Sequence, residues 1–173
     1  MDLFFDILKI TIPSVLLLIA VGYIVGGFLR NSEKLQQMKL IRKNQQITVP
    51  LRLQAYERLI LFLERISPDS ILLRANYPDK TSQQLHQELL QSIRAEFEHN
   101  LSQQLYVSIE SWNSVKNARN YTIALINSAA AELEEGVPAI ELSRNILAAT
   151  AEMEQTPTQK AIDELKRDIQ QIF

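Results

Sequence analysis

The sequence predicts an all-α protein, with an N-terminal single transmembrane helix followed by a compact cytoplasmic helical domain. A run of 20 residues without a charged side chain, Ile10–Leu29, lies near the N-terminus. Only one of the four glycines, Gly136, follows this run, whereas the turns and bulges of β-rich domains usually need glycine. The rest of the chain is rich in strong helix formers, and its prolines are spaced like helix boundaries.

The apolar run has the length of a membrane span, because a 20-residue helix is about 30 Å long. A cleaved signal peptide would begin with basic residues and have a shorter apolar stretch, but here Asp2 and Asp6 precede the run. We therefore predict a short extracytoplasmic N-terminus at 1–6, a transmembrane helix at 7–29 and a basic juxtamembrane helix at 30–49.

Basic residues are denser after the predicted span than before it. Lys9 stands upstream together with two aspartates, whereas five basic side chains follow: Arg30, Lys34, Lys39, Arg42 and Lys43. The positive-inside rule places such a flank in the cytoplasm. We predict a single-pass protein of the bacterial inner (cytoplasmic) membrane with its N-terminus outside, and we expect these five residues to contact anionic lipid headgroups of the bilayer.

Gly22, Gly26 and Gly27 lie within the predicted span. The Gly22-x-x-x-Gly26 spacing allows two membrane helices to approach closely, although glycine is also common in membrane spans that make no such contact. These glycines are candidate membrane-helix contacts, and both self-association and contact with a partner subunit stay open.

Prolines and capping signals divide the remaining chain into a helical core domain at 50–135 and a C-terminal acidic helical pair at 136–173. A threonine followed three residues later by glutamine predicts capping boxes at Thr81 and Thr156, and Gly136 predicts a helix stop. The helices are expected at about 32–47, 50–66, 68–75, 80–99, 101–135, 138–154 and 157–172. Helix starts or stops are expected near Pro50, Pro68, Pro78, Pro138 and Pro157.

Apolar residues recur at every fourth position from Leu85 to Ile109. On a straight helix this spacing drifts by about 40° per step, so that one buried stripe cannot continue through all seven positions. We therefore predict a break near Asn100.

Three features of the domain are candidate partner contacts. Leu61 falls within the charged face of an otherwise apolar helix, which is typical of a partner contact or of a single exposed leucine. Basic residues between two aromatic ones, from Trp112 to Tyr121, could bind an anion, a headgroup or nucleic acid, or extend out of the core towards acidic partners. The last helix has a 3-4-3 apolar seam that either docks on its own domain or dimerises. The residues concerned are Leu61, Trp112, Lys116, Arg119, Tyr121, Ile162, Leu165, Ile169 and Ile172.

Charge is distributed unevenly along the chain. Residues 30–58 carry seven basic and two acidic side chains, whereas residues 132–173 carry four basic and nine acidic ones. This pattern suits a domain that stands off an anionic membrane, and it argues against nucleic-acid binding by the C-terminal part.

Signals for enzyme chemistry are weak. There is no cysteine. Phosphate-binding loops and dinucleotide fingerprints need several closely spaced glycines, and they are excluded because only one glycine follows the apolar run. The Glu96-Phe97-Glu98-His99 segment contains one Glu-x-x-His unit, but di-iron bundles need a second copy and further carboxylates. We expect no enzyme activity, no cofactor, no metal and no small-molecule substrate.

Two segments carry a family resemblance: VPLRLQAYERLILFLERISPDSILLR (49–74) and EFEHNLSQQLYVSIESWNSVKNAR (96–119). They resemble an uncharacterised family of single-span, all-helical inner-membrane proteins of gram-negative bacteria, over most of the chain to about residue 130. This resemblance implies the architecture and no activity. The layout is also loosely similar to the b-type stator subunit of ATP synthase, but Pro50, Pro68 and Pro78 would interrupt a long straight stalk.

We therefore expect a non-catalytic accessory or scaffold subunit of an inner-membrane protein complex. One alternative is a homo-oligomeric protein that organises the membrane. Another is a membrane tether that recruits nucleic acid or the ribosome through Arg30–Arg58 and Lys116–Arg119.

Overall fold

The computed structural model describes residues 2–75 and 79–171, with side chains at all of these positions except 2–15, 17, 29–34, 37, 40, 41 and 44. The described residues form six α-helices and one 3₁₀ helix, which confirms the all-α class. The elements are α1 (Asp2–Ile66), α2 (Pro68–Arg74), α3 (Ser82–Asn100), the 3₁₀ helix (Leu101–Leu105), α4 (Ile109–Ala131), α5 (Ala139–Ala151) and α6 (Pro157–Gln170).

The chain divides into two compact units between Thr48 and Val49. The first unit is formed by α1 as far as Thr48, and the second contains the remainder of α1 and all other elements. Within the described part of the chain, no helix combines the length and the hydropathy that crossing a membrane requires. The transmembrane assignment of residues 7–29 therefore stays a prediction.

The predicted helix boundary at Pro50 is wrong, because α1 continues through this residue. A side chain that accepts a hydrogen bond from the first turn of the new helix favours a boundary at a following proline. The hydroxyls of Ser67 and Thr156 do this in front of Pro68 and Pro157, whereas Val49 has no such group. Pro78, the third expected boundary, lies outside the described residues.

The core of the second unit begins with the last turns of α1. Tyr56, Leu59, Phe62, Leu63 and Ile66 of α1 are buried in one apolar cluster with side chains of α2, α3, α4, α5 and α6. Helix α6 packs mainly on α4, while α3 packs on both α4 and α5. The largest fully buried side chains are Tyr56, Leu59, Phe62, Leu63, Ile66, Leu85, Leu89, Ile93, Ile126, Leu142, Ile146 and Leu165.

The predicted break near Asn100 is confirmed. Helix α3 ends at this residue, and the apolar stripe that is buried at Leu85, Leu89 and Ile93 is exposed from Leu101 onward. The helix predicted at 101–135 is wrong as one continuous element. A 3₁₀ helix covers Leu101–Leu105, and α4 begins at Ile109, where the Ser108 hydroxyl accepts a hydrogen bond from the Ser111 backbone N–H at 3.1 Å.

The starts of α3 and α5 are paired through their backbones. Ser82 N–H donates to the Val137 carbonyl at 2.8 Å, and Ala139 N–H donates to the Lys80 carbonyl at 3.0 Å. Gly136 precedes this pairing with a φ of +82°, which a residue with a side chain rarely adopts. The sequence signal at Gly136 thus marks a real change of chain direction.

Candidate functional site

The three glycines of the apolar segment differ in their surroundings. Gly22 and Gly27 are exposed, and a Cβ atom placed on either would meet nothing within 4 Å. Gly26 is half-buried. The aromatic neighbours Tyr23 and Phe28 are 83% and 73% exposed, so the helix surface offers room for another helix.

The basic residues that follow this segment are exposed wherever they are described. This holds for Lys39, Arg42 and Lys43, while the side chains of Arg30 and Lys34 lie outside the described ones. Their predicted contact with headgroups stays a prediction.

Leu61 is exposed by 54% on the outer face of α1, although it is a leucine in a helix that forms the core. Glu57, Arg58, Glu64 and Arg65 on the same face are also exposed. The charged face predicted from the sequence is therefore present, with one apolar side chain within it.

The region from Trp112 to Tyr121 has one side that faces the core and one that faces solvent. The buried Trp112 ring stacks on Phe97 with centroids 5.6 Å apart and an interplanar angle of 23°, and Phe97 contacts Phe62 at 5.8 Å. Arg119 places its guanidinium carbon 4.0 Å from the centroid of Phe97. This geometry is a cation–π contact over a partly buried aromatic stack.

The other two residues of this region lie nearer to solvent. Lys116 is half-buried and Tyr121 is exposed. The Tyr121 hydroxyl lies 3.8 Å from Met153 Sδ, within hydrogen-bond distance of sulfur. The structure thus leaves Tyr121 more accessible to a partner than Trp112.

The seam of α6 docks on the second unit itself. Ile162 and Leu165 are fully buried, and Ile169 packs against the same core while remaining half-buried. Ile172 lies outside the described residues. Two functions were predicted for this seam, docking on its own domain or dimerisation. The first two residues of the seam dock in the protein's own core.

Sequence reasoning missed a cluster around Asp168. Oδ2 of this carboxylate accepts hydrogen bonds from the hydroxyl of Tyr56 at 2.7 Å, from that of Ser111 at 2.6 Å and from that of Ser108. The donors come from α1 and from the first turn of α4, while the acceptor belongs to α6. Because partners up to 112 residues apart meet here, only the cap signal at Ser108 was visible in the sequence.

Burial and hydrogen bonding act in opposite directions on Asp168. Burial alone would raise the pKa of this carboxyl, but the hydrogen bonds from Ser108, Ser111 and Tyr56 outweigh it, and the pKa is lowered from its ordinary value of 3.8. The pKa of Tyr56 is raised, first by burial and then by its hydrogen bond to Asp168. The three hydroxyl donors thus stabilise the charged form of Asp168 against the effect of burial.

A groove of about 580 Å³ lies between α2 and α3 on the second unit and was also missed by sequence reasoning. Two guanidinium groups face one carboxylate there. Arg65 Nη2 lies 2.7 Å from Glu96 Oε1, and Arg74 Nη1 lies 3.9 Å from the same oxygen. His99 and Ser92 also line the groove.

The titratable side chains of the second unit can be compared with the requirements of a metal site. Over the described residues, no three His, Cys, Asp or Glu side chains come together as ligands of a metal ion. His86 lies beside the Asn127 amide oxygen at 2.8 Å. The features described above are surfaces and polar contacts suited to binding.

Comparison with known proteins places the chain among uncharacterised sequences. The model of the Family of unknown function (DUF7935) matches residues 2–172. Neither the curated proteins nor the solved structures contain a match. The expected membership of an uncharacterised family is thereby confirmed.

Proposed function

The chain belongs to the Family of unknown function (DUF7935), and we propose that it is a non-catalytic accessory or scaffold subunit of a bacterial inner-membrane protein complex. In this proposal the N-terminal segment of α1 anchors the chain in the bilayer with its N-terminus outside. The second unit then presents an interaction surface on the cytoplasmic side.

One observation carries the anchoring part of the proposal. Eight large apolar side chains between Leu16 and Phe28 are exposed, and at 100° per residue they are spread around the whole circumference of the helix. A helix that is apolar on all sides needs an apolar environment, since each Å² left in water costs about 25 cal/mol. The side chains are Leu16, Leu18, Ile19, Val21, Tyr23, Ile24, Val25 and Phe28.

Exposed apolar side chains outside the core of the second unit support an interaction role. Leu105 and Ile109 are 79% and 76% exposed around the start of α4, in addition to Leu61 on α1. Apolar side chains exposed to this extent are available for contact with a partner protein.

Anchoring is tested by placing charges in the apolar segment. We expect the Ile19→Asp/Ile24→Asp double variant to leave the membrane fraction, because each charge near the bilayer centre costs about 3 kcal/mol. The matched control is Ile47→Asp, an exposed position on the same helix outside the apolar segment. The measurement is the distribution of the tagged full chain between membrane and soluble fractions after an alkaline carbonate wash.

Release of the unmodified protein by the carbonate wash would contradict anchoring. The accessory role is then examined by extracting the unmodified protein in a mild detergent and identifying the proteins that elute with it in stoichiometric amounts. A defined set of membrane proteins is the expected result, and elution of the chain alone would contradict it.

The open space around Gly22 favours a second candidate, a homo-oligomeric protein that organises the membrane. Leucines at Gly22 and Gly26 would then prevent close approach of two copies. A smaller assembly in size-exclusion chromatography of the Gly22→Leu/Gly26→Leu variant would support this candidate, and an unchanged size would count against it.

A further inference from the structure

The groove between α2 and α3 is built around a fixed arginine. Arg74 donates from Nε to the Ser70 carbonyl at 3.3 Å and from Nη2 to the Arg65 carbonyl. The latter carbonyl lies in the last turn of α1, where helix carbonyls have no partner within the helix. Two backbone contacts therefore hold this guanidinium in place without any carboxylate.

The charges along the groove are unevenly covered. Arg65 and Arg74 share the carboxylate of Glu96, while Glu88, which also lines the groove, pairs with Lys80. The side chains of the two arginines are 55% and 42% exposed, whereas that of Glu96 is only 22% exposed. The two guanidinium groups are therefore more accessible from the groove than the carboxylate between them.

The guanidinium of Arg74 also has N–H groups beyond those used in the contacts described above. Each guanidinium carries five N–H groups, and the contacts of Arg74 described above use one on Nε and one on Nη2, with Nη1 at 3.9 Å from Glu96. Arginine binds phosphate and carboxylate oxygens in pairs through its planar fork. Two guanidiniums on one carboxylate can therefore accept a further anion.

The remainder of the groove is wide and partly apolar. Its volume of about 580 Å³ is much larger than a bare phosphate needs, and its floor includes Ile71, Ala75, Leu89 and Ala95. A volume of this order is typical of small-molecule sites, which combine apolar walls with a few placed polar groups.

We propose that this groove binds an organic phosphate, a phosphate monoester with an apolar substituent. The phosphate oxygens contact Arg65 and Arg74, and the substituent lies along the floor formed by Ala75, Leu89 and Ala95. All of these residues belong to the second unit, so the site is independent of membrane anchoring and of the proposed subunit role.

The first test is a titration of the full-length protein in detergent micelles with hexyl phosphate and with inorganic phosphate. The side-chain Nε–Hε resonances of Arg65 and Arg74 are followed by NMR. We expect both resonances to shift with hexyl phosphate, and its Kd to be about tenfold lower than that of inorganic phosphate, because the hexyl group covers apolar surface. Absence of any shift at a large excess of hexyl phosphate would overturn the proposal, and equal affinity for both probes would indicate an adventitious ion only.

Two variants of opposite expected effect test the assignment of the residues. Arg74→Gln should weaken hexyl phosphate binding about tenfold, and Glu96→Gln should strengthen it, because the competing carboxylate is then lost. Arg94→Gln, an exposed arginine elsewhere on α3, is the matched control and should bind like the unmodified protein. If Glu96→Gln weakens binding, or if Arg94→Gln weakens it as much as Arg74→Gln, the site is not where we place it.

A last comparison separates the two sources of such a ligand. Nanodiscs of phosphatidylcholine with and without phosphatidic acid offer the same phosphate chemistry on a lipid. If the Arg65 and Arg74 resonances shift with phosphatidic acid as well as with hexyl phosphate, and both shifts are lost in Arg74→Gln, the site takes a lipid headgroup. If they shift only with the soluble ester, the ligand is a free organic phosphate. Both results support the site, and a response to neither overturns it.

Discussion

At the scale of single residues, Asp168 connects three parts of the second unit. Its Oδ2 atom accepts hydroxyl hydrogen bonds from Tyr56 on α1 and from Ser108 and Ser111 at the start of α4. A carboxylate at the first turn of a helix is also favoured by the helix dipole. The last turns of α6 are therefore held by polar contacts as well as by the apolar side chains of Ile162 and Leu165.

Asp168→Asn should destabilise the protein, because an amide is a weaker acceptor than a carboxylate and adds donors where three hydroxyls already donate. We expect the free energy of unfolding to fall by about 1–3 kcal/mol. Urea denaturation followed by circular dichroism measures it. Asp163→Asn is the matched control on the same helix, since its carboxylate accepts only from Gln155 and Gln159 among the hydrogen bonds described. An equal effect of both substitutions would contradict the role of Asp168.

The same pair of variants gives a prediction for the dependence of stability on pH. The pKa of Asp168 is lowered in the folded protein. The stability that its carboxylate contributes is therefore present at pH values above the pKa of the unfolded state, and it is lost as the pH falls through the pKa of the folded state. The stability difference between the unmodified protein and Asp168→Asn should therefore be constant near neutral pH and shrink below about pH 4. A difference that grows on acidification would have the wrong sign.

At alkaline pH the stability of the cluster depends on Tyr56, and it falls as the pH rises. The pKa of Tyr56 is raised above 10.0, so its contribution is complete below the unfolded value and is lost as the pH rises through the folded pKa. Asp168 and Tyr56 thus limit the stability of one cluster at opposite ends of the pH scale.

At the scale of elements, local signals located most helices of the second unit. The helices predicted at 68–75, 80–99, 138–154 and 157–172 are found at Pro68–Arg74, Ser82–Asn100, Ala139–Ala151 and Pro157–Gln170. Capping residues and prolines act on the neighbouring turn, so that sequence alone can locate such boundaries. Pro50 has neither a capping side chain before it nor a helix-ending glycine like the one that precedes Pro138, and α1 continues through it.

The two predicted capping boxes differ in the structure. At α3, Thr81 N–H donates to Gln84 Oε1 at 3.0 Å while the Thr81 hydroxyl accepts from the Gln84 N–H at 3.3 Å, which completes the box. At α6, the Thr156 hydroxyl accepts from the Gln159 N–H at 3.2 Å, but the Gln159 side chain donates to Asp163 instead. The same sequence pattern therefore gives one complete box and one half.

This difference predicts unequal effects of the same substitution. Gln84→Ala removes the acceptor of the N-cap N–H and should lower the free energy of unfolding by about 1 kcal/mol. Gln159→Ala, the matched substitution, should cost no more than about half of this, because it removes only a pair four residues apart on an exposed helix face. Thermal unfolding of both variants provides the comparison, and a larger loss for Gln159→Ala would contradict it.

At the scale of the whole molecule, the sequence predicted the class and the family but not the surfaces. The all-α class follows from composition and patterning, which are properties of the whole chain. The groove at Arg65 and Arg74 and the cluster at Asp168 depend on residues from separate helices. Because no local pattern links such residues, these sites appear only when the chain is folded.

The division into two units gives a prediction about truncation. A chain of residues 49–173 retains every residue of the apolar core, which begins at Tyr56. We expect it to fold with a cooperative thermal transition.

A chain of residues 68–173 lacks the five largest core side chains of α1, namely Tyr56, Leu59, Phe62, Leu63 and Ile66. It should not fold, since each loss resembles a large-to-small core substitution of about 2–5 kcal/mol. Circular dichroism distinguishes the two, and a cooperative transition in the shorter chain would contradict the role of α1 in this core.

Trp112, which stacks on Phe97 inside the second unit, can report on the unfolding of that unit. It is the only tryptophan in the chain, so fluorescence excited at the red edge of the protein spectrum comes from this unit alone. The emission of an indole shifts to longer wavelength when water reaches it. The second unit therefore carries its own optical reporter of unfolding, while the first unit is silent even when it lies in a detergent micelle or a bilayer.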